Sequence, residues 1–445
     1  MESGKKRKVQ KKLFSVIYGR TAIILLLILV QILVMFFGIY FLTDNWTYLY
    51  GVFSIIGTIA VIYSINSEEN PAFKLTWVLC IMALPIFGTF FYIYVKAQIG
   101  TRYIGKRLET LKDETEEYMR QDMEIIDAMK KSKLANKNLS YYLGKHLGFP
   151  TYGNTRLEYY PLGEDKFEAL KRELRKAEHF IFMEYFIVEG GEMWDEIRHI
   201  LEEKVTEGVE VRFMYDGMCS ISKLPSDYPW YLRRRGIRCK VFNPINPIVS
   251  TIQNNRDHRK ICVIDGKVGF TGGINLADEY INRRERFGHW KDTAIMLEGD
   301  AVRSLTIMFL QMWNIGEKKI NDYDKYLLPP AQEFDPKDGY VLPYGDNPYD
   351  NENVGEEVYF HILNHAKEYV HIMTPYLILD NEMTKTLARV AKSGMEVIII
   401  MPHIPDKPYA FAVAKTFYKE LIEAGVQIYE YTPGFIHQKQ TLCDG

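Results

Sequence analysis

The sequence of 445 residues has little of what marks several common protein classes. Its five cysteines are scattered and never form a C-x2-C arrangement, so neither a disulfide framework nor a zinc site is indicated. Its formal net charge is only −2, whereas a domain that neutralises nucleic-acid phosphates is usually strongly basic. No metal-ligating constellation stands out. We therefore expect no metal, no cofactor and no nucleic-acid partner.

Long apolar runs are present, and they are confined to the first hundred residues. Residues 21–42, 46–67 and 75–95 carry no charged side chain. Each run is long enough to cross a bilayer core, which takes about 20 residues of helix. Pro85 and Gly88 interrupt the third run, which a membrane helix tolerates when its neighbours satisfy the freed backbone groups. The sequence predicts a membrane region over residues 1–98 with two or three transmembrane helices.

The charges that flank these runs leave the sidedness of the membrane region open. Six basic residues lie between positions 5 and 12, and by the positive-inside bias they place the N-terminus in the cytoplasm. Three spans would then send the rest of the chain to the other side. Lys96, Arg102 and Lys106 follow the third run, however, and they also prefer the cytoplasm.

The remainder of the chain reads as an α/β protein with an internal repeat. A charged, helix-prone linker covers residues 99–150. After it, strand-like runs such as FIFMEYFIV and VEVRFMYD alternate with helical stretches, which is typical of α/β domains. The second half repeats this order with YVHIMTPYLIL and MEVIIIMP. We predict two homologous α/β modules, over 151–335 and 336–445, related by a pseudo-twofold axis.

The most specific pattern in the sequence is His-x-Lys-x4-Asp, which closes each module. Apolar residues separate each lysine from its aspartate, as expected for a short buried strand that ends in a turn. On an extended chain the histidine and the lysine share one face, because they are two residues apart. The two copies consist of His258, Lys260 and Asp265, and of His437, Lys439 and Asp444.

This duplicated pattern suits phosphoryl transfer. The oxygens of a phosphoryl group need nearby cations, and a neutral imidazole can act as nucleophile or exchange protons near pH 7. One histidine cannot easily do both, whereas two histidines brought together across a pseudo-twofold axis can divide the tasks. The alternative for a single copy is a buried histidine beside a strand-edge lysine, and the duplication argues against it.

Polar and flexible residues follow the first motif in the segment GGINLADEY. Gly273 would let the backbone approach a bound phosphate, and Asn275 could donate a hydrogen bond to its oxygens. A plain turn accounts for the glycine equally well. The repeat predicts a second Gly-x-Asn about ten residues beyond Asp444. Because the sequence ends at Gly445, the second module is expected to be incomplete at its C-terminus.

Several segments resemble a known family. The duplicated motif is that of the phospholipase D superfamily, and the similarity to bacterial cardiolipin synthases extends over the N-terminal apolar region and the segments DHRKICVIDGKVGFTGGINLADEY, FGHWKDTAIMLEGDAV and TPYLILD. The resemblance implies that phosphatidyl is transferred between two phosphatidylglycerol molecules through a phosphohistidine intermediate, giving cardiolipin and glycerol. It also implies a bacterial plasma-membrane location and membrane phospholipids as partners.

The resemblance assigns roles to individual residues. His258 is expected to be the nucleophile and His437 the acid that protonates the leaving alkoxide, although the reverse assignment stays open. Lys260 and Lys439 are expected to bind the phosphoryl oxygens. Asp292 is expected to orient His258 through its second ring nitrogen, or else to be a surface charge on a strand. The motif aspartates, Asp265 and Asp444, are expected to organise their strands.

Three other functions remain open from the sequence. A hydrolytic phospholipase D and a phosphatidyltransferase with another acceptor, such as serine, would share the same site. A nuclease of the superfamily is disfavoured, because the chain has apolar spans and lacks a basic surface. The expected incompleteness of the second module also leaves open an inactive membrane protein that binds lipid.

Overall fold

The structure is a computed structural model. It describes residues 29, 33, 44–97, 99–131, 137–219, 223–244, 255–317, 323–330, 333–334, 339–350 and 352–444. The basic head and nearly all of the first predicted span lie outside these residues. Two units are distinguished, residues 1–104 with 245–255, and residues 105–244 with 256–445.

The described N-terminal part is helical. Its helices are α1 (Asp44–Ile65), α2 (Pro71–Ala83) and α3 (Pro85–Ala97). The second apolar run lies in α1, whereas the third is divided between two 13-residue helices. The break falls at Leu84, because Pro85 has no N–H group and restricts the residue before it. Trp77 packs against Tyr92 with ring centroids 5.3 Å apart, which joins α2 to α3.

The predicted transmembrane helices gain no support from this part of the chain. No helix within the described residues is both long enough and apolar enough to cross a membrane.

The linker region forms short helices. They are α4 (Ile99–Thr115), a 3-10 turn (Glu116–Met119), α5 (Met123–Lys131), α6 (Lys137–Tyr141) and a π turn (Tyr142–His146). Two contacts fix its central part to the first α/β module. Gln311 donates to the hydroxyl of Thr115 at 2.7 Å, and the ring of Tyr118 lies 5.6 Å from that of Tyr323.

The first module is built on a seven-stranded sheet. Its strands are β1 (Thr155–Tyr160), β2 (Phe180–Tyr185), β3 (Glu210–Asp216), β4 (Arg238–Phe242), β5 (Ile261–Ile264), β6 (Val268–Gly272) and β8 (Ala294–Gly299), and the short strand β7 (His289–Lys291) lies outside this sheet. The order is β1-β8-β6-β5-β2-β3-β4. Strands β2, β3 and β4 are parallel, while β5, β6, β8 and β1 continue the sheet in antiparallel pairs.

Helices cover both faces of this sheet, which explains why its central strands are mostly apolar and almost entirely buried. The helices are α7 (Gly163–Arg175), α8 (Glu192–Thr206), α9 (Tyr228–Arg233) and α10 (Val302–Asn314). All six residues of β2 are buried. Ile181 and Met183 pack into the core on one face, while Phe182 stacks on Phe309 of α10 on the other, with centroids 4.7 Å apart.

The second module repeats this plan with four strands in the order β11-β10-β9-β13. It contains α11 (Val354–His365), β9 (Tyr369–Met373), α12 (Asn381–Lys392), β10 (Glu396–Pro402), α13 (Pro408–Glu423), β11 (Gln427–Tyr431), β12 (Gly434–Ile436) and β13 (Gln440–Cys443). Strands β9, β10 and β11 are parallel and β13 is antiparallel to β9, which is the arrangement of β2, β3, β4 and β5. The predicted α/β class is confirmed.

A short parallel pair, β7 with β12, joins the two modules. In its register Phe435 lies opposite Trp290 and Ile436 lies opposite Lys291. The pairing continues one step further, because the amide of His437 donates to the carbonyl of Lys291 at 2.8 Å. This pair places the residues after β7 beside those after β12.

Candidate active site

The first motif places its histidine and lysine in the extended segment that leads into β5. Lys260 is buried, and its ammonium donates to the backbone carbonyl of His258. His258 is exposed, and its ring lies 4.7 Å from that of Phe186. Arg259 points elsewhere, because its guanidinium donates to Glu184 at 2.6 Å. His258 and Lys260 therefore share a face, as extended backbone requires.

The motif aspartate of the first module fixes the start of the neighbouring strand β2. Asp265 has a φ of 53°, in the left-handed region that Asp tolerates better than most residues. Its carboxylate accepts backbone hydrogen bonds from Glu178, His179 and Phe180 at 2.8, 2.8 and 2.7 Å. Asp265 therefore uses its oxygens for backbone amides at the beginning of β2.

The second motif repeats this contact at the start of β9. Asp444 accepts from the amides of Lys367, Glu368 and Tyr369 at 3.3, 2.7 and 2.8 Å. These three residues are the counterparts, in the internal repeat, of the three that donate to Asp265. The same hydrogen bonds lower the pKa of Asp444. In both modules the aspartate is thus a structural acceptor that ties the motif strand to its neighbour.

His437 is held from both sides in a nearly closed environment. It is 8% exposed, and its Nδ1 lies 2.7 Å from Oδ2 of Asp292. The rings of Tyr280 and Trp290 each lie 5.5 Å from its own. Lys439 donates to the carbonyl of His437 at 2.7 Å, and its Nζ lies 3.3 Å from the Nε2 atom.

The prediction that Asp292 orients His258 is wrong, because Asp292 bonds the histidine of the other module. Strand β7 carries Asp292 away from its own motif and lays it beside β12, which ends next to His437. Oδ1 of the carboxylate accepts from the amide of Thr293 at 2.9 Å, so Asp292 is fixed at both oxygens. Asp292 is fully buried, which also excludes the alternative of a surface charge.

Gly273 and Asn275 support this arrangement. A Cβ atom on Gly273 would lie 2.0 Å from Oδ1 of Asp292, so glycine makes room for the carboxylate. Asn275 is fully buried: its side-chain oxygen accepts from the amide of Ile187 at 3.0 Å, and its side-chain nitrogen donates to the Tyr280 hydroxyl at 2.8 Å. The side chain of Asn275 thus positions Tyr280, and phosphate contacts of these two residues stay a prediction.

The pKa values of the two motif lysines and of His258 are all lowered. Burial, followed by the charge of Lys439, lowers the pKa of Lys260 to about 7. Burial lowers that of Lys439 to about 8. Loss of hydration and the two ammonium groups also lower the pKa of His258 well below its ordinary value. A bound phosphodiester would reverse these shifts, because an opposite charge favours the protonated form.

The two histidines differ in their surroundings. Burial lowers the pKa of His437, but its hydrogen bond to Asp292 acts in the opposite direction. The lysines near His258, in contrast, lower its pKa. The two histidines therefore differ: His437 is hydrogen-bonded to the carboxylate of Asp292, whereas His258 lies among cations.

Three further residues beside the site were not predicted from the sequence. The hydroxyl of Tyr376 donates to Oδ2 of Asp406 at 2.7 Å, and Nζ of Lys407 lies 4.7 Å from the centre of the Tyr376 ring. The charge of Lys407 acts on both His258 and Lys439. A signal existed, since Asp406 and Lys407 follow the parallel strand β10, and loops at strand ends often carry functional residues.

The described residues contain no candidate metal site. No group of three or more His, Cys, Asp or Glu side chains there is placed to hold a metal ion.

Comparison with known proteins agrees with this site. The family model described as "Cardiolipin synthase, PLD-like domain" matches residues 170–313 and 359–445, which include both motifs. An uncharacterised protein of Streptococcus mutans is 52% identical over 86% of this chain and 83% of its own length. A cardiolipin synthase of Geobacillus thermodenitrificans is 35% identical over 89% and 80%, and one of Halalkalibacterium halodurans is 32% identical over 94% and 84%.

The α/β fold and the two histidine motifs define a phospholipase D-like enzyme, and the matched model spans both halves of its site. The chain belongs to the cardiolipin synthase family of the phospholipase D superfamily. It is a phosphatidyltransferase, and the resemblance stated from the sequence is confirmed.

Proposed function

We propose that the protein makes cardiolipin from two molecules of phosphatidylglycerol. His258 attacks phosphorus, a P–N bond forms, and the bond from phosphorus to the departing glycerol oxygen breaks. His437 gives that oxygen its proton. A hydroxyl of the second phosphatidylglycerol then passes its proton to His437 and attacks phosphorus, which breaks the P–N bond. The products are cardiolipin and glycerol, and both histidines return to their starting states.

The difference between the two histidines supports this division of roles. A nucleophile must be accessible and unprotonated. His258 keeps an exposed part, while partial burial of its ring and cationic neighbours lower its pKa. A group that gives and takes a proton gains from a partner that stabilises the imidazolium. Asp292 provides this for His437 at 2.7 Å.

The two motif lysines would stabilise the charge on the phosphoryl oxygens. Lys260 is buried and both lysines have lowered pKa values, so their protonated forms are favoured once an anion enters. Because their ammonium groups are fixed by the carbonyls of His258 and His437, little reorganisation is needed when charge develops.

Membrane lipids are the substrates and partners in this proposal, and the N-terminal apolar runs would keep the protein at the cell membrane. The proposal keeps two or three transmembrane helices, with residues 46–67 in α1 as the second candidate. Its test is extraction of membranes at alkaline pH, which should leave the full-length protein in the pellet.

The activity test uses purified full-length protein in mixed micelles with phosphatidylglycerol. We expect cardiolipin and glycerol in equal amounts, and a His258→Ala variant should form neither. Phosphatidic acid without cardiolipin would identify a hydrolase and overturn the proposal. Addition of serine tests the other acceptor, and phosphatidylserine in preference to cardiolipin would also contradict it.

A second experiment separates the two histidines. A phosphatidyl ester with a good leaving group does not need the acid, so His437→Ala should still form the covalent intermediate, whereas His258→Ala should not. The adduct is located by mass spectrometry of peptides kept at alkaline pH, where phosphohistidine survives. An adduct on His437 would reverse the assignment.

A further inference from the structure

The proposed reaction requires two phosphate-binding positions, because donor and acceptor are both anionic lipids. The donor phosphorus must lie between the two histidines, where Lys260 and Lys439 stand. In the acceptor, the attacking hydroxyl is separated from its own phosphate by a glycerol unit. That second phosphate therefore needs a cation outside the two motifs but close to them.

We propose that Lys407 and Asp406, held by Tyr376, form the acceptor-headgroup subsite of the phosphatidyltransferase. Lys407 would bind the acceptor phosphate, and Asp406 would accept a hydrogen bond from the glycerol hydroxyl that does not react. This inference rests on the proposed function and adds to it the place where the second lipid binds.

The position of the loop supports this subsite. The amide of Ile404 donates to the carbonyl of Gly434 at 3.4 Å, which ties the loop to the start of β12. Strand β12 ends immediately before His437. The charge of Asp406 acts on Lys439, and that of Lys407 acts on His258 and Lys439. The subsite therefore adjoins the reacting centre without belonging to either motif.

The chemistry of the three side chains also fits a glycerol phosphodiester. The side chain of Lys407 is 47% exposed, and its Nζ lies 4.0 Å from Oδ2 of Asp406 and over the ring of Tyr376. Tyr376 donates to Oδ2, which leaves Oδ1 of Asp406 as the second acceptor. That oxygen is buried and has no hydrogen-bond partner within the described residues. A buried carboxylate oxygen without a donor is unfavourable, so a ligand hydroxyl would satisfy it.

The first module has an acidic residue at the end of its corresponding strand, and that residue is engaged differently. Strand β3 ends at Asp216, whose two oxygens accept from the amides of Met218 and Asp257 at 2.8 and 2.9 Å. The carboxylate of Asp216 is thus used by the protein's own backbone, whereas Asp406 keeps one oxygen for a ligand.

The test uses competition between two acceptors for one phosphatidyl-enzyme. Full-length protein in mixed micelles receives phosphatidylglycerol with ethanol, a neutral acceptor, and the ratio of cardiolipin to phosphatidylethanol is measured. Lys407→Ala should lower this ratio roughly tenfold, since it removes one charge-assisted contact that only the anionic acceptor makes. Lys407→Glu should lower it further, and Lys407→Arg should restore part of it.

The matched control is Lys419→Ala on α13, where the side chain is 86% exposed. This variant removes the same charge at a position remote from the loop after β10 and should keep the wild-type ratio. If Lys407→Ala also keeps the wild-type ratio while the wild type makes cardiolipin, the subsite is overturned and the proposed function stands. If the wild type makes phosphatidylethanol but no cardiolipin, the proposed function fails, and the subsite fails with it.

Discussion

A carboxylate beside an imidazole raises the basicity of the imidazole, and Asp292 has this position relative to His437. Their atoms Oδ2 and Nδ1 lie 2.7 Å apart, and both side chains are buried. The pair therefore decides at which pH His437 can give a proton to the leaving glycerol. The exposed His258 does not depend on this carboxylate for its own low pKa.

Asp292→Asn should reduce the rate and shift its pH dependence. The hydrogen bond and charge of Asp292 raise the pKa of His437, so their loss lowers that pKa further. The protonated acid then disappears at lower pH, and the alkaline limb of kcat/KM should move toward acidic pH. We expect a loss of roughly 100-fold or more at pH 7. The control is Asp300→Asn, which should keep the wild-type pH profile. If the alkaline limb does not move in Asp292→Asn, the assignment of Asp292 as the partner that raises the pKa of His437 is contradicted.

Gly273→Ala should imitate this loss without removing a charge. The new Cβ would lie 2.0 Å from Oδ1 of Asp292, so the carboxylate must shift away from His437. Turnover should fall at least roughly tenfold, while the thermal midpoint changes little. Gly190→Ala is the control, since its Cβ would meet no atom within 4 Å. Wild-type turnover in Gly273→Ala would show that the carboxylate position is not critical.

The sequence identified the two motifs, but not the partner of the aspartate. Of the two motif histidines, His258 is the nearer to Asp292 in the sequence, so spacing along the chain associates these two residues. The contact to His437 depends on β7 and β12, two strands of three residues each that pair across the modules. Such short segments carry too little periodicity to be predicted from the sequence.

At the scale of secondary-structure elements, each motif strand is fixed at its end by its own aspartate. Asp265 joins the turn after β5 to the beginning of β2, and Asp444 does the same for β13 and β9. The strands themselves were predictable, because apolar residues run continuously through a sheet that is covered on both faces. The role of the aspartates as backbone acceptors agrees with the sequence-based expectation that they organise the strands.

Asp265→Ala should lower stability while leaving the pH profile of the residual activity unchanged. It leaves three amides without their acceptor and places alanine at a φ of 53°. We expect a loss of about 2–4 kcal/mol in the free energy of unfolding. Asp265→Asn, which keeps one acceptor oxygen and tolerates this φ, should be intermediate. Thermal melting measures the loss of stability. A normal melting midpoint together with the loss of one limb of the pH profile would instead indicate that Asp265 transfers a proton.

At the scale of the whole molecule, stability must vary with pH because lysines are buried without an ion pair. Lys166 is 2% exposed and donates to the hydroxyl of Tyr185 at 3.2 Å. Burial lowers the pKa of Lys166 to about 8, from an ordinary value of 10.5. Between these values the unfolded chain holds a proton that the folded chain has released. The contribution of Lys166 to stability therefore rises with pH in this window.

Lys166→Met should raise stability at pH 7 and lose the advantage toward pH 10.5. The gain should be on the order of 1–3 kcal/mol, reduced in part by the lost hydrogen bond to Tyr185. The measurement is the thermal midpoint of wild type and variant from pH 7 to pH 10. Lys176→Met, at a side chain 62% exposed, should show no such difference. A difference that stays constant with pH would refute the assignment.

Much of the whole molecule could be inferred from the sequence, because its two halves repeat the same order of strands and helices. The N-terminal region shows the limit of this approach. Hydropathy treats residues 75–95 as one run, yet Pro85 ends one helix and begins another. The loop after β10 was also missed, because a position after a strand is a weaker signal for Asp406 and Lys407 than a repeated motif is.

The hydrogen bond between Asp292 and His437 couples the two halves of the internal repeat. Each half of the repeat contributes what the other cannot use alone, a carboxylate from the first and an imidazole from the second. Substituting either residue breaks the same hydrogen bond. The effects of the two substitutions on activity are therefore not expected to be additive. The two halves of the repeat are thus energetically coupled through a single hydrogen bond.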